Sequence, residues 1–200
     1  MSASLTPFLQ LASQTVRDPR EGARRVLSLR VPEGLLWQAL VLVVVVSVLL
    51  TSLGELLVPA PVDPLVPVFA ANPMFTAVVQ GGLLVVTVYA IHFIGRAMGG
   101  KGDFAGALAL TVWLQFIMTL LQVAQTVFLL VLPPVAGLIG VLGIGLFFWL
   151  LSNFVTVLHG FTSAVGTFFG ILVSMVAIVF AVSILMSLLG ITLQGALPDV

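Results

Sequence analysis

Five long apolar stretches, separated by short polar or Pro/Gly-rich breaks, limit this chain more than any other feature. A hydrocarbon core of about 30 Å is crossed by about 20 apolar residues wound as a helix. The sequence predicts spans at about 35–53, 74–95, 104–132, 135–158 and 162–189. The first contains an almost unbroken Val/Leu run from Leu40 to Leu50. Val and Ile favour strands in water, but in lipid a helix satisfies its own backbone and an open strand does not. A β-barrel would need alternating segments of about ten residues, a pattern this sequence lacks. Apolar residues make up 60% of the chain and charged residues 7%. A soluble domain is roughly a quarter charged, so these charges are too few to cover a water-facing surface. The same balance excludes a disordered chain and a nucleic-acid partner. With no cysteine, disulfides and thiolate metal sites are excluded too. The expected fold is an all-α integral membrane protein, a bundle of five transmembrane helices preceded by a cytoplasmic amphipathic helical segment. The segment covers residues 1–34, the membrane domain 35–190 and an outside tail 191–200.

Residues between the spans carry stop and start chemistry. Pro32 suits a first helical turn, with Glu33 at the positive end of the dipole. Asn72-Pro73 reads as an N-cap followed by an N1 proline, and Asp103 as a cap for the third span. Gly99-Gly100 and Pro133-Pro134 break the chain. His159-Gly160 reads as a last-turn base and a terminating glycine. The connection there is short, so spans four and five should be antiparallel neighbours. The first span starts thirty-odd residues in, and no A-x-A-like site follows it. It is expected to stay as an anchor.

The seven Lys and Arg residues set the orientation. Arg17, Arg20, Arg24, Arg25 and Arg30 precede the first span, and Arg96 and Lys101 lie between the second and third. All fall on one side when the N-terminus is cytoplasmic and the C-terminus outside. Glu55, Asp63 and Asp199 are left on the other side.

Ahead of the spans, Leu5, Phe8, Leu9, Ala12 and Val16 form one apolar face. Asp18-Pro19-Arg20-Glu21 then opens a second helix with an N-cap, an N1 proline and an N3 acid. That helix places Ala23, Val26 and Leu27 on one side and arginines on the other. A basic amphipathic helix beside a span is expected on the anionic leaflet, where each of the five arginines contributes about 1 kcal/mol. The loop from Glu55 to Asn72 carries Pro59, Pro61, Pro64 and Pro67 among apolar residues, which predicts extended or turn backbone folded onto the membrane interface or over the bundle.

Polar residues inside the spans are the candidate functional groups. Thr111, Gln115, Thr119, Gln122, Gln125 and Thr126 occupy about a third of the third span's circumference. Unbonded amides facing lipid are unfavourable, so this stripe should face protein or water, with Asn153 of the fourth span near it. Gly166, Gly170 and Ser174 form a small-x-x-x-small run expected to bring helices close. Trp113 and Trp149 lie too deep for an interfacial belt and read as packing residues, whereas Trp37 suits the cytoplasmic belt. His92 and His159 sit at similar depth, but no carboxylate or second histidine at i±4 supports a metal or haem site. Their expected role is hydrogen bonding, and no cofactor is expected. The spans lack the buried acids and bases of an ion-coupled pump. No H-E-x-x-H or serine-protease motif occurs.

The layout of these parts resembles bacterial members of the Yip domain family, relatives of the Ypt/Rab-interacting membrane proteins. The resemblance covers about residues 5–190. It rests on Asp18-Pro19-Arg20 followed by Arg24 and Leu27, five spans, a short basic inner loop and an outside C-terminus. Eukaryotic members carry a D-L-Y-G-P-type motif before the first span. Here Val31 to Trp37 read V-P-E-G-L-L-W, so no Rab partner is carried over. The resemblance implies a membrane protein of a family linked to trafficking or membrane organisation in eukaryotes and of undefined role in bacteria, a place in a bacterial inner membrane and no catalytic residue. The reading is therefore a non-enzymatic scaffold or membrane-organising protein. Its partners would be membrane lipids, anionic headgroups among them, and a membrane protein or a second copy of the chain. The alternative is a small transporter, channel or lipid-moving protein using the polar face of the third span.

Overall fold

A computed structural model describes residues 6–57 and 72–188, and these form seven helices with no strand among them. Two short helices, α1 (Thr6–Arg17) and α2 (Pro19–Ser28), come first. Five long apolar helices follow: α3 (Glu33–Leu57), α4 (Pro73–Ala97), α5 (Phe104–Val131), α6 (Pro133–His159) and α7 (Ala164–Leu188). All five are long and apolar enough to cross a bilayer. The chain is an integral membrane protein. The proline-rich loop and the C-terminal tail lie outside the described residues.

Local chemistry sets the helix ends. Asn72 accepts from the Met74 N–H at 2.9 Å, with Pro73 at the first helical position. Asp103 accepts from the Gly106 N–H at 2.8 Å, and Asp18 from the Glu21 N–H at 3.0 Å. Each cap satisfies a donor that the first turn leaves unpaired. Gly160 ends α6 with φ 71°, a left-handed conformation open to glycine without strain. α6 begins at Pro133, two residues ahead of the expected start, because a proline at N1 is already shaped for a first turn.

α5 is the centre of the bundle and packs against α3, α4 and α6. One apolar cluster joins Leu36 and Leu40 of α3, Val88 of α4, and Ala107 and Leu108 of α5. A second joins Leu110, Trp113, Leu114 and Ile117 of α5 to Leu150, Leu151, Phe154 and Val155 of α6. Ala12, Ala23 and Val26 complete this second cluster, so α1 and α2 are docked on the bundle. Where the sequence put the apolar face of α2 on the leaflet, the structure covers that face with α5 and α6. Gly22 makes the docking compact, since a Cβ there would overlap the Thr15 side chain of α1. α7 packs on α6 alone among the element pairs in broad contact.

Candidate functional site

All seven cationic residues lie at the end of the bundle where α1 and α2 dock, here termed the basic end. Two polar contacts, one buried and one half-buried, hold the docked helices there. The Trp113 Nε1–H donates to Thr15 Oγ1 at 3.2 Å, and the Thr15 hydroxyl donates to the Leu11 carbonyl at 2.7 Å. Arg20 Nε donates to Asn153 Oδ1 at 3.2 Å, while the Asn153 amide donates to the Trp149 carbonyl at 2.8 Å. Asn153 and Trp113 lie about 9 and 14 Å in from the basic ends of their helices, at 1.5 Å per residue. Arg20 thus points into the bundle, apart from the other arginines. Arg24 and Arg25 are exposed and pair with Glu21 at 3.5 and 3.2 Å, and Arg25 also reaches Gln14 at 2.7 Å. Arg17 and Arg30 are exposed and make no ion pair among the described residues.

His159 is a second node at the same end and is only 2% exposed. Its Nε2 lies 2.9 Å from the Ile91 carbonyl, and its Nδ1 lies 3.2 Å from the Gly102 N–H. A carbonyl only accepts and an N–H only donates, so the bonding assigns the proton to Nε2. Both ring nitrogens are therefore engaged by main chain. The Lys101 N–H also donates to the His159 carbonyl at 3.2 Å. A Cβ at Gly95, Gly100 or Gly102 would overlap the imidazole, so three glycines shape the slot it fills. His92 packs edge-on against Phe104 and is not joined to His159 by a hydrogen bond.

The polar stripe of α5 divides into parts. The hydroxyls of Thr111, Thr119 and Thr126 donate to the carbonyls four residues back, at 2.8–2.9 Å. Gln122 is tied to α3: its amide donates to the Ser47 carbonyl at 3.0 Å and to Thr51 Oγ1 at 2.8 Å. Its carbonyl accepts from the Ser47 hydroxyl at 2.8 Å. Gln80 of α4 joins by donating to Ser47 Oγ at 3.2 Å. Gln125 lies against Gly140 of α6. Gln115 makes no side-chain hydrogen bond among the described residues. Asn153 is separate from the stripe, bonded instead to Arg20.

The small-residue run of α7 does not make the expected close helix contact. A Cβ at Gly166 would meet only the Ser163 side chain, and at Gly170 only Met98. The α6–α7 contact is made by Phe168, which lies nearly half a turn from the stripe and packs edge-on against Phe148, and by Thr167 at the edge of the stripe, which accepts from the Thr156 hydroxyl at 2.9 Å. Gly166, Gly170 and Ser174 instead face an apolar groove of about 500 Å³ between α4 and α7, with α6 as its floor. Trp149 also departs from its expected packing role, being 54% exposed on the outer surface of α6.

Sequence reasoning missed Thr15, Ser47, Gln80 and the glycines around His159. Ser47 was visible as the single hydroxyl in a Val/Leu run, and Gly99-Gly100-Lys101-Gly102 as a dense glycine cluster. Neither pattern says which helix will meet it.

No curated protein and no solved structure matches the chain. A family model, the Yip1 domain, matches residues 13–190, from within α1 to just past α7. Because that match takes in both the docked N-terminal helices and all five spans, the chain belongs to the Yip domain family.

Proposed function

We propose that this protein is a non-enzymatic membrane organiser that presents a rigid basic platform at the cytoplasmic face of a bacterial inner membrane. The observation that carries the reading is the docking of α1 and α2. Trp113–Thr15 and Arg20–Asn153 hold these helices on the bundle, while Arg17, Arg24, Arg25 and Arg30 remain exposed. A fixed array of guanidinium groups suits anionic headgroups of the adjoining leaflet and acidic surfaces of a membrane-protein partner. The bonding of the α5 stripe supports interhelical adhesion over a solute path, because its threonines are satisfied by their own backbone and Gln122 by α3. The same reading places the N-terminus in the cytoplasm and the C-terminus outside, from the one-sided distribution of Lys and Arg.

Crosslinking in native membranes, with mass spectrometry of captured proteins and lipids, tests the role. A fourfold Arg→Gln variant at 17, 24, 25 and 30 should lose the captured species while keeping its folded yield. An unchanged capture profile, or solute movement by the purified protein in liposomes, would reject the proposal. Reporter fusions at Asp199 test the orientation and should be active only outside the cytoplasm.

A further inference from the structure

We propose that the groove between α4 and α7 holds one acyl chain of an anionic phospholipid, its headgroup resting at the basic end beside Lys101 and the first turn of α7. The groove runs from Leu83 to Met98 along α4, about 22 Å at 1.5 Å per residue. That exceeds the half-thickness of a hydrocarbon core, about 15 Å. Its walls are almost wholly apolar, with Ile94, Phe147 and Ile178 among them, and no acidic or basic side chain lines it. At this depth only acyl chains or another protein span are available to fill it.

Charge at the rim decides between the two: a wholly apolar span would leave Lys101 and the positive end of α7 unmatched, whereas an anionic phospholipid answers both. At about 500 Å³ the groove has the volume of a small-ligand site, which runs from about 300 to 1,000 Å³. Gly166, Gly170 and Ser174 keep one wall low enough for a chain to lie against helix backbone.

The ends of the groove differ in charge, which fixes the direction of the lipid. At the basic end the lining includes Thr162 and Ser163, and Ser163 Oγ accepts from the Gly166 N–H at 3.1 Å, so the positive end of α7 opens there. Lys101 is exposed and makes no ion pair among the described residues. Its backbone is bonded to His159, whose ring stacks on Phe161 of the groove wall with centroids 5.4 Å apart. An anion is matched at this rim and an apolar chain beyond it.

The proposal is independent of the docking role of α1 and α2, since the groove shares no residue with the exposed arginines. Protein in mild detergent would be titrated with equimolar phosphatidylglycerol and phosphatidylcholine and read by native mass spectrometry. We expect one retained phosphatidylglycerol. A Gly170→Phe, Ser174→Phe double variant, with unchanged helicity and melting, should retain at least tenfold less. Lys101→Gln should keep a lipid but lose the preference for the anionic one. A diazirine-bearing phosphatidylglycerol should label groove residues of the unaltered protein above Val41 and Val45 on the outer face of α3, which gives a test should the double variant misfold. Equal labelling of both faces would overturn the proposal. So would retention unaffected by the two phenylalanines, an anionic preference indifferent to Lys101, or a dimer that the phenylalanines abolish.

Discussion

α5 and α7 are both long, almost uncharged helices, yet they occupy opposite positions in the bundle. Half of the most apolar 18-residue stretch of α5 is buried, against 6% in α7. α5 is surrounded by α3, α4, α6 and the docked α2, whereas α7 leans on α6 and faces a groove. Apolarity does not separate them, because lipid tails are as apolar as leucine and give no hydrophobic drive for one helix to seek another. Polar side chains and shape separate them. α5 carries Gln122, which bonds α3, and Trp113, which bonds α1. α7 carries one interhelical hydrogen bond among its described residues, from Thr156 to Thr167 near its start.

Truncating an aromatic on each helix should break the contrast most sharply. Trp113→Ala empties a site only 8% exposed and leaves Thr15 without its donor, so we expect a loss of about 3–5 kcal/mol. Phe169→Ala, at a site 60% exposed on α7, should leave stability nearly unchanged. Denaturant titration in mixed micelles measures both, and equal losses would mean that α7 is buried by something beyond this chain.

A glycine pair gives the next largest difference. Gly95→Ala drives a methyl into the His159 ring, whose two nitrogens are both held, and should cost about 1–3 kcal/mol as overpacking. Gly166→Ala has room and should gain up to about 1 kcal/mol of helix propensity. Melting curves of the two variants should therefore shift in opposite directions.

The smallest effect sharpens the picture within α5 itself. Gln122→Leu removes three hydrogen bonds to α3. Bonds between membrane helices average about 0.6 kcal/mol each, so losing three of them is expected to cost about 1–2 kcal/mol. Gln115→Leu, two turns away on the same face, should be neutral. Equal effects at the two sites would show that the face acts as one unit and not through Gln122.

The class of fold, the number of spans and most of their ends were legible in the sequence. Span length is fixed by the bilayer, and caps such as Asn72-Pro73, Asp103 and Gly160 act within a few residues of themselves. That Gln122 would find Ser47, while Gln115 has no side-chain hydrogen bond among the described residues, was not legible, because both lie on one face and only the rotation and depth of α3 separate them. Arg20 and Arg24 share a helix, yet Arg20 meets Asn153 while Arg24 stays in the exposed array. The small residues of α7 permit close packing in any register, and the aromatic contact of Phe168 with Phe148 turned them toward the groove. The sequence by itself determined that this is a five-span helical membrane protein with its positive charge at one end, since length, apolarity and local capping need no distant partner. The tertiary structure alone decided that α5 lies at the centre, that α1 and α2 dock on the bundle and that α7 borders a groove. In a bilayer those choices turn on a few polar bonds and on side-chain shape between residues far apart in the chain.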